Sequence, residues 1–510
     1  MKNVLLIINH NAFARQMARW ACLINKSHSW KPIIYITNDN FAIHLDDPQS
    51  EGIKITPCPS VIHANTPSAN GSTPPPVSNI QCCISNKLKD SPKLLSVARF
   101  YYGVFAKFYY SHIVRIYHSS IITLPFRTIR TIIKIKSRKS SIQNIIRENN
   151  IDSILIAESG SGDESGPGDG GSVFVRIAND ESIPIFTIPI FKWSARAHAE
   201  IYLTSKNRQV KGLSNRLIEF FFPNWVYCHK GVKMIRVFPD LLLALEFLRM
   251  SPPNPWMMIN NNEVAIALDS IITYDFYSQE GVEKDKMVVV GAPEHDIMYN
   301  VQQDAKRLKS ELCQRLNISA DLPIILTPLP QPHYIEGRPE CDFQIYEEMV
   351  EFWLKSLGSI KGYNVIVSLH PSHTILTDKS NYWNYIEQWG VKICREDIAS
   401  LIPLCDLFVA AGSSTIPWAL ACSKPVINYD IYRYFNSGYQ PFPGIITIQE
   451  QHEFLEVLRK MTSSQDYYKK IADKHMLCAK KWGTVDGMAT VRLLDLFDKY
   501  TDIYPQGNLK

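Results

Sequence analysis

Two stretches of this chain carry side chains whose type and spacing suit the binding of an anion. In Val365-Ile-Val-Ser-Leu-His370-Pro371-Ser372-His373, a histidine follows an apolar run and is held by the next proline. A histidine at the end of a buried strand points into the crevice where open α/β sheets take ligands. It donates to oxyanions and, once protonated, offsets charge on a departing anionic group. Capping of the following helix uses the same residue without any ligand. The second stretch is Cys405-Asp406-Leu-Phe-Val-Ala-Ala411-Gly412-Ser413-Ser414-Thr415-Ile416-Pro417-Trp418. A buried strand ends in Gly-Ser-Ser-Thr and a helix begins at once, with Pro417 at a position helices accept in their first turn. Backbone N–H groups and hydroxyls at a helix start form an anion site. One Ser or Thr is enough for a cap, so a glycine with three hydroxyls favours a phosphate.

These residues need elements to hold them. Val4–Ile8 reads as a strand, Phe13–Ile24 as a helix and Pro32–Ile36 as a second strand, so the chain opens on a βαβ unit and a parallel sheet. Thr56–Ser78 holds six prolines and reads as a surface loop. The strand Ile151–Ala157 runs into Glu158-Ser-Gly-Ser-Gly-Asp163-Glu-Ser-Gly-Pro-Gly-Asp-Gly-Gly-Ser172, whose six glycines predict a mobile loop at a strand end. Ile183–Ile190 resumes the sheet. From Val264 the texture repeats: strands at Val264–Leu268, Met287–Val290, Ile324–Thr327, Val365–Leu369, Leu407–Ala410 and Pro425–Asn428 alternate with helices near Phe343–Leu357, near Tyr382–Trp389 and from Ile416. The expected architecture is α/β, with two Rossmann-like domains facing a cleft. Their expected extents are 1–263 and 264–471, with a helical tail, 472–510, returning to the first. No short repeat occurs, which excludes solenoids and propellers.

Length and composition agree. The 510 residues are 45% hydrophobic and 20% charged, an ordinary balance for a packed core. Eleven cysteines, without CxxC spacing and with Cys82 and Cys83 adjacent, suit neither a disulfide framework nor a zinc site. The first apolar run stops at Asn9 and His10, too short for a signal-peptide core, and no 18-residue apolar run follows. The expected location is therefore cytoplasmic.

The net charge of +5 conceals a local excess. Between Ser91 and Arg147 there are eleven Lys and Arg and no acid, so the rest of the chain stands at −6. Aromatics including Phe100, Tyr101, Phe105, Phe108 and Tyr109 lie among these cations, and Phe105, Phe108, Tyr109 and Ile113 share one helical face. A basic, aromatic helix of this kind suits an anionic membrane surface on the inner face of the cell membrane. A core helix pair with surface lysines explains the same spacing. Nucleic acid is disfavoured, because the remainder is acidic and no binding motif occurs.

The two anion motifs, together with Gly291-Ala-Pro-Glu-His-Asp296 and Lys424-Pro425-Val426-Ile427, resemble the donor-binding domain of GT-B glycosyltransferases over about Val264–Asp430. The His-Pro and Ser/Thr pairs are similar to those of bacterial Kdo and sialic acid transferases, which use CMP-sugars, and of CDP-glycerol glycerophosphotransferases. The resemblance implies a nucleotide-sugar donor, a glycan or lipid-linked acceptor, and no metal or other cofactor. On it, His370, Pro371, Gly412, Ser413, Ser414 and Thr415 would hold the nucleotide and its phosphate, with Thr327 on the adjacent strand end. UDP-GlcNAc 2-epimerases are also similar, but they carry paired glutamates where this chain has Ser413–Trp418, and no acid lies between Asp406 and Asp430. A non-catalytic assembly partner built on the same fold is a further alternative. In GT-B enzymes the acceptor sits on the first domain, which makes Glu158 the candidate base, with Asp163 and His10 as rivals. Asp46-Asp47 and Glu347-Glu348 read as solvated charges.

Overall fold

The computed structural model describes residues 1–37, 46–57, 123–161, 170–190, 192–203, 205–331, 341–369, 385–433 and 445–503. The chain divides into two compact units: Met1–Ala267 with Glu280–Met287 and Leu494–Lys510, and Leu268–Gln279 with Val288–Leu493.

The strands are β1 (Lys2–Ile8), β2 (Trp30–Ile36), β3 (Lys54–Pro57), β4 (Ser153–Ile156), β5 (Ile185–Thr187), β6 (Val226–His229), β7 (Val232–Ile235), β8 (Ala265–Leu268), β9 (Met287–Val289), β10 (Ile324–Pro328), β11 (Asn364–Ser368), β12 (Lys392–Cys394), β13 (Leu407–Ala410), β14 (Val426–Tyr429) and β15 (Thr447–Ile448). The helices of the first half are α1 (Asn11–Lys26), α2 (Asp46–Ser50), α3 (Leu124–Glu148), α4 (Gly171–Asp180), α5 (Ala195–Tyr202), α6 (Leu213–Phe221) and α7 (Pro239–Phe247). Those of the second half are α8 (Ile271–Gln279), α9 (Pro293–Gln303), α10 (Ala305–Leu316), α11 (Tyr346–Gly358), α12 (Ile398–Leu401), α13 (Ile416–Ala421), α14 (Gln451–Ser463), α15 (Gln465–Trp482) and α16 (Ala489–Ile503).

The first sheet runs β3-β2-β1-β4-β5-β8-β9 and the second β12-β11-β10-β13-β14-β15. Counting strands within each sheet, both begin 3-2-1-4-5-6, the doubly wound order. The pairings of β3-β2-β1-β4-β5-β8 and all those of the second sheet are parallel. Parallel strands are buried on both faces and so read as unbroken apolar runs, as Val4–Ile8 does.

In the first unit, Leu5, Ile7, Ile33, Tyr35, Ile154 and Ile156 pack with Ile135, Ile142 and Ile145 of α3, Phe174 and Ile177 of α4 and Leu241 and Leu245 of α7. On α16, Phe497 lies 5.3 Å from the Trp30 ring and 4.8 Å from that of Phe186. In the second unit, one core joins Ile325, Val367 and Val409 to Trp353 of α11 and Phe454 of α14, whose rings stack at 5.3 Å. The other core joins Ile324, Leu326 and Phe408 to Met298 of α9, Leu312 of α10, Leu420 of α13 and Trp482 of α15. Burial of each such side chain contributes about 1.5–3 kcal/mol, so both sheets are firm supports for their strand ends.

Thr56 and Pro57, expected at the start of the proline-rich loop, instead end β3 and pair with Tyr35 and Ile36. The rest of that stretch and the aromatic segment carrying Phe105–Ile113 lie outside the described residues, as does part of the helix expected near Tyr382–Trp389. Among the described residues, no helix is long and apolar enough to cross a membrane.

Candidate functional site

Each doubly wound sheet has a switch point, where chain connections leave in opposite directions and open a crevice at the carboxyl ends of two neighbouring strands. In the first unit that point lies between β1 and β4, paired in register from Val4↔Ser153 to Ile7↔Ile156. Asn9 and Glu158 follow the two strands, and Asn9 Nδ2 donates to Glu158 Oε1 at 3.3 Å. Both are buried, Asn9 to 1% exposure and Glu158 to 4%. Glu158 is therefore not the solvated loop acid that a glycine-rich neighbourhood suggests. Withdrawing a carboxylate from water costs several kcal/mol, partly offset by such a donor. His10 caps α1, its Nδ1 accepting from the Ala12 N–H at 3.2 Å. The neutral ring therefore carries its proton on Nε2. Asp163 lies outside the described residues.

The backbone around Glu158 is clamped. Ser159 N–H donates to the Met258 carbonyl at 2.7 Å, and its hydroxyl donates to Glu263 Oε1 at 3.1 Å. Asn261 Nδ2 donates to the Ser159 carbonyl at 3.0 Å. Glu263 also accepts from the N–H groups of Asn260 and Asn261, each at 2.6 Å. Burial raises its carboxyl above the usual range, against the pull of those donors. A Cβ at Gly171, the first residue of α4, would lie 2.0 Å from the Glu158 carbonyl oxygen, so only glycine lets the helix start there. Glu263 and Asn261 were missed at the sequence level. Their signal is the run Asn260-Asn261-Asn262, whose first and third residues take positive φ of 69° and 73°.

In the second unit the switch point lies between β10 and β13, adjacent in the sheet. Gly412 follows β13 with φ +59° and donates its N–H to Asn428 Oδ1 at 3.0 Å. The hydroxyls of Ser413 and Thr415 are 2.8 Å apart, and the Thr415 N–H donates to Ser413 Oγ at 3.3 Å. Two of the backbone donors expected to face a phosphate are thus engaged, that of Gly412 by Asn428 of β14 and that of Thr415 within the loop. Helix α13 has only six residues, so its dipole adds little. The loop still offers exposed Ser414 and one hydroxyl hydrogen from the Ser413–Thr415 pair, since only one of the two can donate to the other. Thr327 is fully buried and its Oγ1 accepts from Trp353 Nε1 at 3.0 Å, so its side chain faces α11 and braces the end of β10. His370 and Pro371 lie outside the described residues, just beyond β11.

Sequence reading also missed a polar cluster at the end of β14. Asn428 and Asp430 are fully buried, and Gln449 Nε2 donates to Asp430 Oδ2 at 3.0 Å. Arg433, at φ +53°, pairs with Asp342 and, at 3.4 Å, with Glu450, while the Tyr429 hydroxyl donates to Asp342. Burial and that neighbouring carboxylate push the Tyr429 hydroxyl up. The signal for this cluster was an Asn and an Asp at the end of an otherwise apolar strand.

The Gly291–Asp296 turn is a structural knot. Gly291 has φ +105°, and a Cβ there would come within 2.8 Å of the Ala489 side chain. His295 Nδ1 accepts from the Ala292 N–H at 3.1 Å, and burial lowers its pKa, which keeps the ring neutral. Asp296 accepts from the N–H groups of Ala489 and Thr490, both at 2.8 Å, and so caps α16.

Comparison with known proteins bears on the fold. No family model and no curated protein sequence matches the chain. Similar solved structures include UDP-GlcNAc 2-epimerase from Neisseria meningitidis bound to UDP-GlcNAc, with a TM-score of 0.50 and 12% identity over 98% of this chain and 100% of that one. A glycosyltransferase from Rickettsia africae gives 0.47 and 11% over 98% of both chains. The wall teichoic acid polymerase TagF gives 0.35 and 16% over 48% of this chain and 59% of that one. The two parallel sheets and the likeness along almost the whole chain show an α/β protein of GT-B type, built from two Rossmann-like units.

Proposed function

We propose that the protein is a glycosyltransferase that moves a sugar from a nucleotide-activated donor to a surface-glycan or lipid-linked acceptor. The observation that carries this reading is the strand order of the second sheet, which brings the Gly412–Thr415 loop to its switch point. There the Ser413–Thr415 hydroxyls and Ser414 would receive the donor phosphate, with Thr327 bracing the neighbouring strand end. His370 and Pro371, which follow β11, complete the donor side. A CMP-sugar is the favoured donor, on the His-Pro and Ser/Thr pairs.

In the reaction the acceptor oxygen bonds to the anomeric carbon, the bond from that carbon to the nucleotide phosphate breaks, and the acceptor proton passes to a base. Glu158 fills that role in the first unit, because Asn9 orients a carboxylate that little water reaches. Charge on the leaving nucleotide is offset by His370 and the hydroxyl loop.

Thermal unfolding with CMP, CDP, UMP, UDP, GDP and dTDP tests the reading. A ligand at a hundred times its dissociation constant adds about 2.7 kcal/mol, a visible shift in melting. Stabilisation by CMP is the expected result. CDP alone would favour a polyol-phosphate transferase, and UDP alone a hexosyltransferase or a 2-epimerase. No response to any nucleotide would overturn the enzyme reading and leave a non-catalytic partner.

A further inference from the structure

Between β5 and β8 the first unit makes an excursion through α5, α6, the β6–β7 hairpin and α7. Helix α6, Leu213-Ser-Asn-Arg-Leu-Ile-Glu-Phe-Phe221, is inverted for a helix on a water-facing surface. It buries Ser214 and Asn215 beside Ile218, and Asn215 Nδ2 donates to the carbonyls of Asn207 and Gln209 at 3.1 and 2.8 Å. Its apolar side chains point outward: Leu213 is 62% exposed, Leu217 40%, Phe220 77% and Phe221 63%. Those asparagine bonds fix the helix in this rotation, so the exposed face is built into the fold. Large apolar side chains gathered on one exposed surface mark an interaction site.

The charge around them selects the partner. From Lys192 to Arg236 there are nine Lys and Arg, of which Arg208 and Arg236 are buried, and two acids. Both acids are already matched, Glu219 by Lys233 at 2.6 Å and Glu200 by Lys230 at 2.7 Å and by His229. Lys206, Lys211 and Arg216 are exposed beside the apolar face. A second strip repeats the pattern on α3, where Phe126, Ile129 and Ile133 are 75%, 56% and 62% exposed and Arg130 and Lys136 are exposed with them. Both helices pack against α7.

We propose that α6, supported by the N-terminal half of α3, docks the protein on an anionic lipid surface. Phe220, Phe221, Leu213 and Leu217 enter the boundary between headgroups and acyl chains, while Lys206, Lys211 and Arg216 meet lipid phosphates. Each such cation contributes about 1 kcal/mol near an anionic surface, and the contribution fades as salt screens it. The proposal stands apart from the glycosyl-transfer reading, since it uses none of the residues at either switch point.

The test is co-sedimentation of the full chain with vesicles of phosphatidylcholine, with and without phosphatidylglycerol, at low and high salt. The wild type should pellet with the anionic vesicles at low salt and be released at high salt. The double variant Phe220→Ser/Phe221→Ser, with an unchanged melting temperature, should bind at least about tenfold less. Failure of the wild type to pellet with anionic vesicles would overturn the proposal, and so would undiminished binding by a folded double variant. Light scattering covers the competing occupant: a wild-type dimer made monomeric by the same substitutions would assign the face to a second copy of the chain and overturn membrane docking.

Discussion

The two sheets share one strand order and differ in what their switch points present. At the first, a buried carboxylate and a buried amide, Glu158 and Asn9, meet at the ends of β1 and β4. At the second, a glycine and a hydroxyl pair close a loop beyond β13, and a buried asparagine, Asn428, holds that loop from the next strand. The shared order brings strand ends together, but it does not choose their chemistry. A buried carboxylate suits proton transfer, whereas hydroxyls suit an oxyanion. The comparison predicts separable defects: changes at the first switch point should affect turnover, and changes at the second should affect donor affinity.

The largest effect is expected from Glu158→Gln, which keeps shape and removes the proton acceptor. Turnover should fall by about 10²–10⁴ with nucleotide stabilisation and melting unchanged, as read by single-turnover transfer beside nucleotide melting shifts. Full activity in this variant would remove the asymmetry between the two units. Next is Gly171→Ala, whose new Cβ would lie 2.0 Å from the Glu158 carbonyl. Neither backbone segment can yield without disturbing the Ser159–Glu263–Asn261 clamp, so urea unfolding should show a loss of about 3 kcal/mol.

A third difference concerns acid. In the second unit, His475 Nδ1 accepts from the Val426 N–H at 3.1 Å, at the start of β14. Burial lowers its pKa from 6.5 to about 4. Its contribution is complete above pH 6.5 and is lost as pH falls towards 4, about 3 kcal/mol in all at 1.36 kcal/mol per unit. Glu263 in the first unit acts in the opposite sense, because its carboxyl is raised above 4.5. Its contribution is complete below that value and is lost as pH rises through the folded pKa. Unfolding free energies measured between pH 4 and 7 should therefore be less acid-sensitive in His475→Gln than in the wild type. A slope equal to that of the wild type would disprove the assignment.

The apolar runs made the sheets legible, since strands buried on both faces announce themselves by composition. Strand ends were legible too, where a polar residue or a glycine breaks such a run, as at Glu158 and Gly412. Pairings between distant segments were not. Glu263 lies 104 residues from the Ser159 it holds, and Asp296 caps a helix 193 residues onward. Thr327 shows the same limit from the other side: its position at a strand end was visible, but Trp353, which takes its hydroxyl into the core, was not. Nor does a helical pattern reveal that α6 turns Ser214 and Asn215 inward, because the usual apolar-inward rule gives the opposite rotation.

The smallest predicted effect bears most directly on the second switch point. Ser413 and Thr415 retain one hydroxyl hydrogen between them, and Ser413 Oγ also braces the Thr415 N–H. Replacing Ser413 by Ala removes both the brace and the inter-hydroxyl bond. Replacing Thr415 by Ser keeps a hydroxyl with a smaller side chain. If the loop receives the donor phosphate, Ser413→Ala should weaken binding of the stabilising nucleotide by about tenfold, the size of one hydrogen bond to a charged group, while Thr415→Ser stays near wild type. A loss confined to melting temperature, with nucleotide affinity intact in titration calorimetry, would make the loop a helix cap. The two units would then share a fold without dividing the chemistry between them.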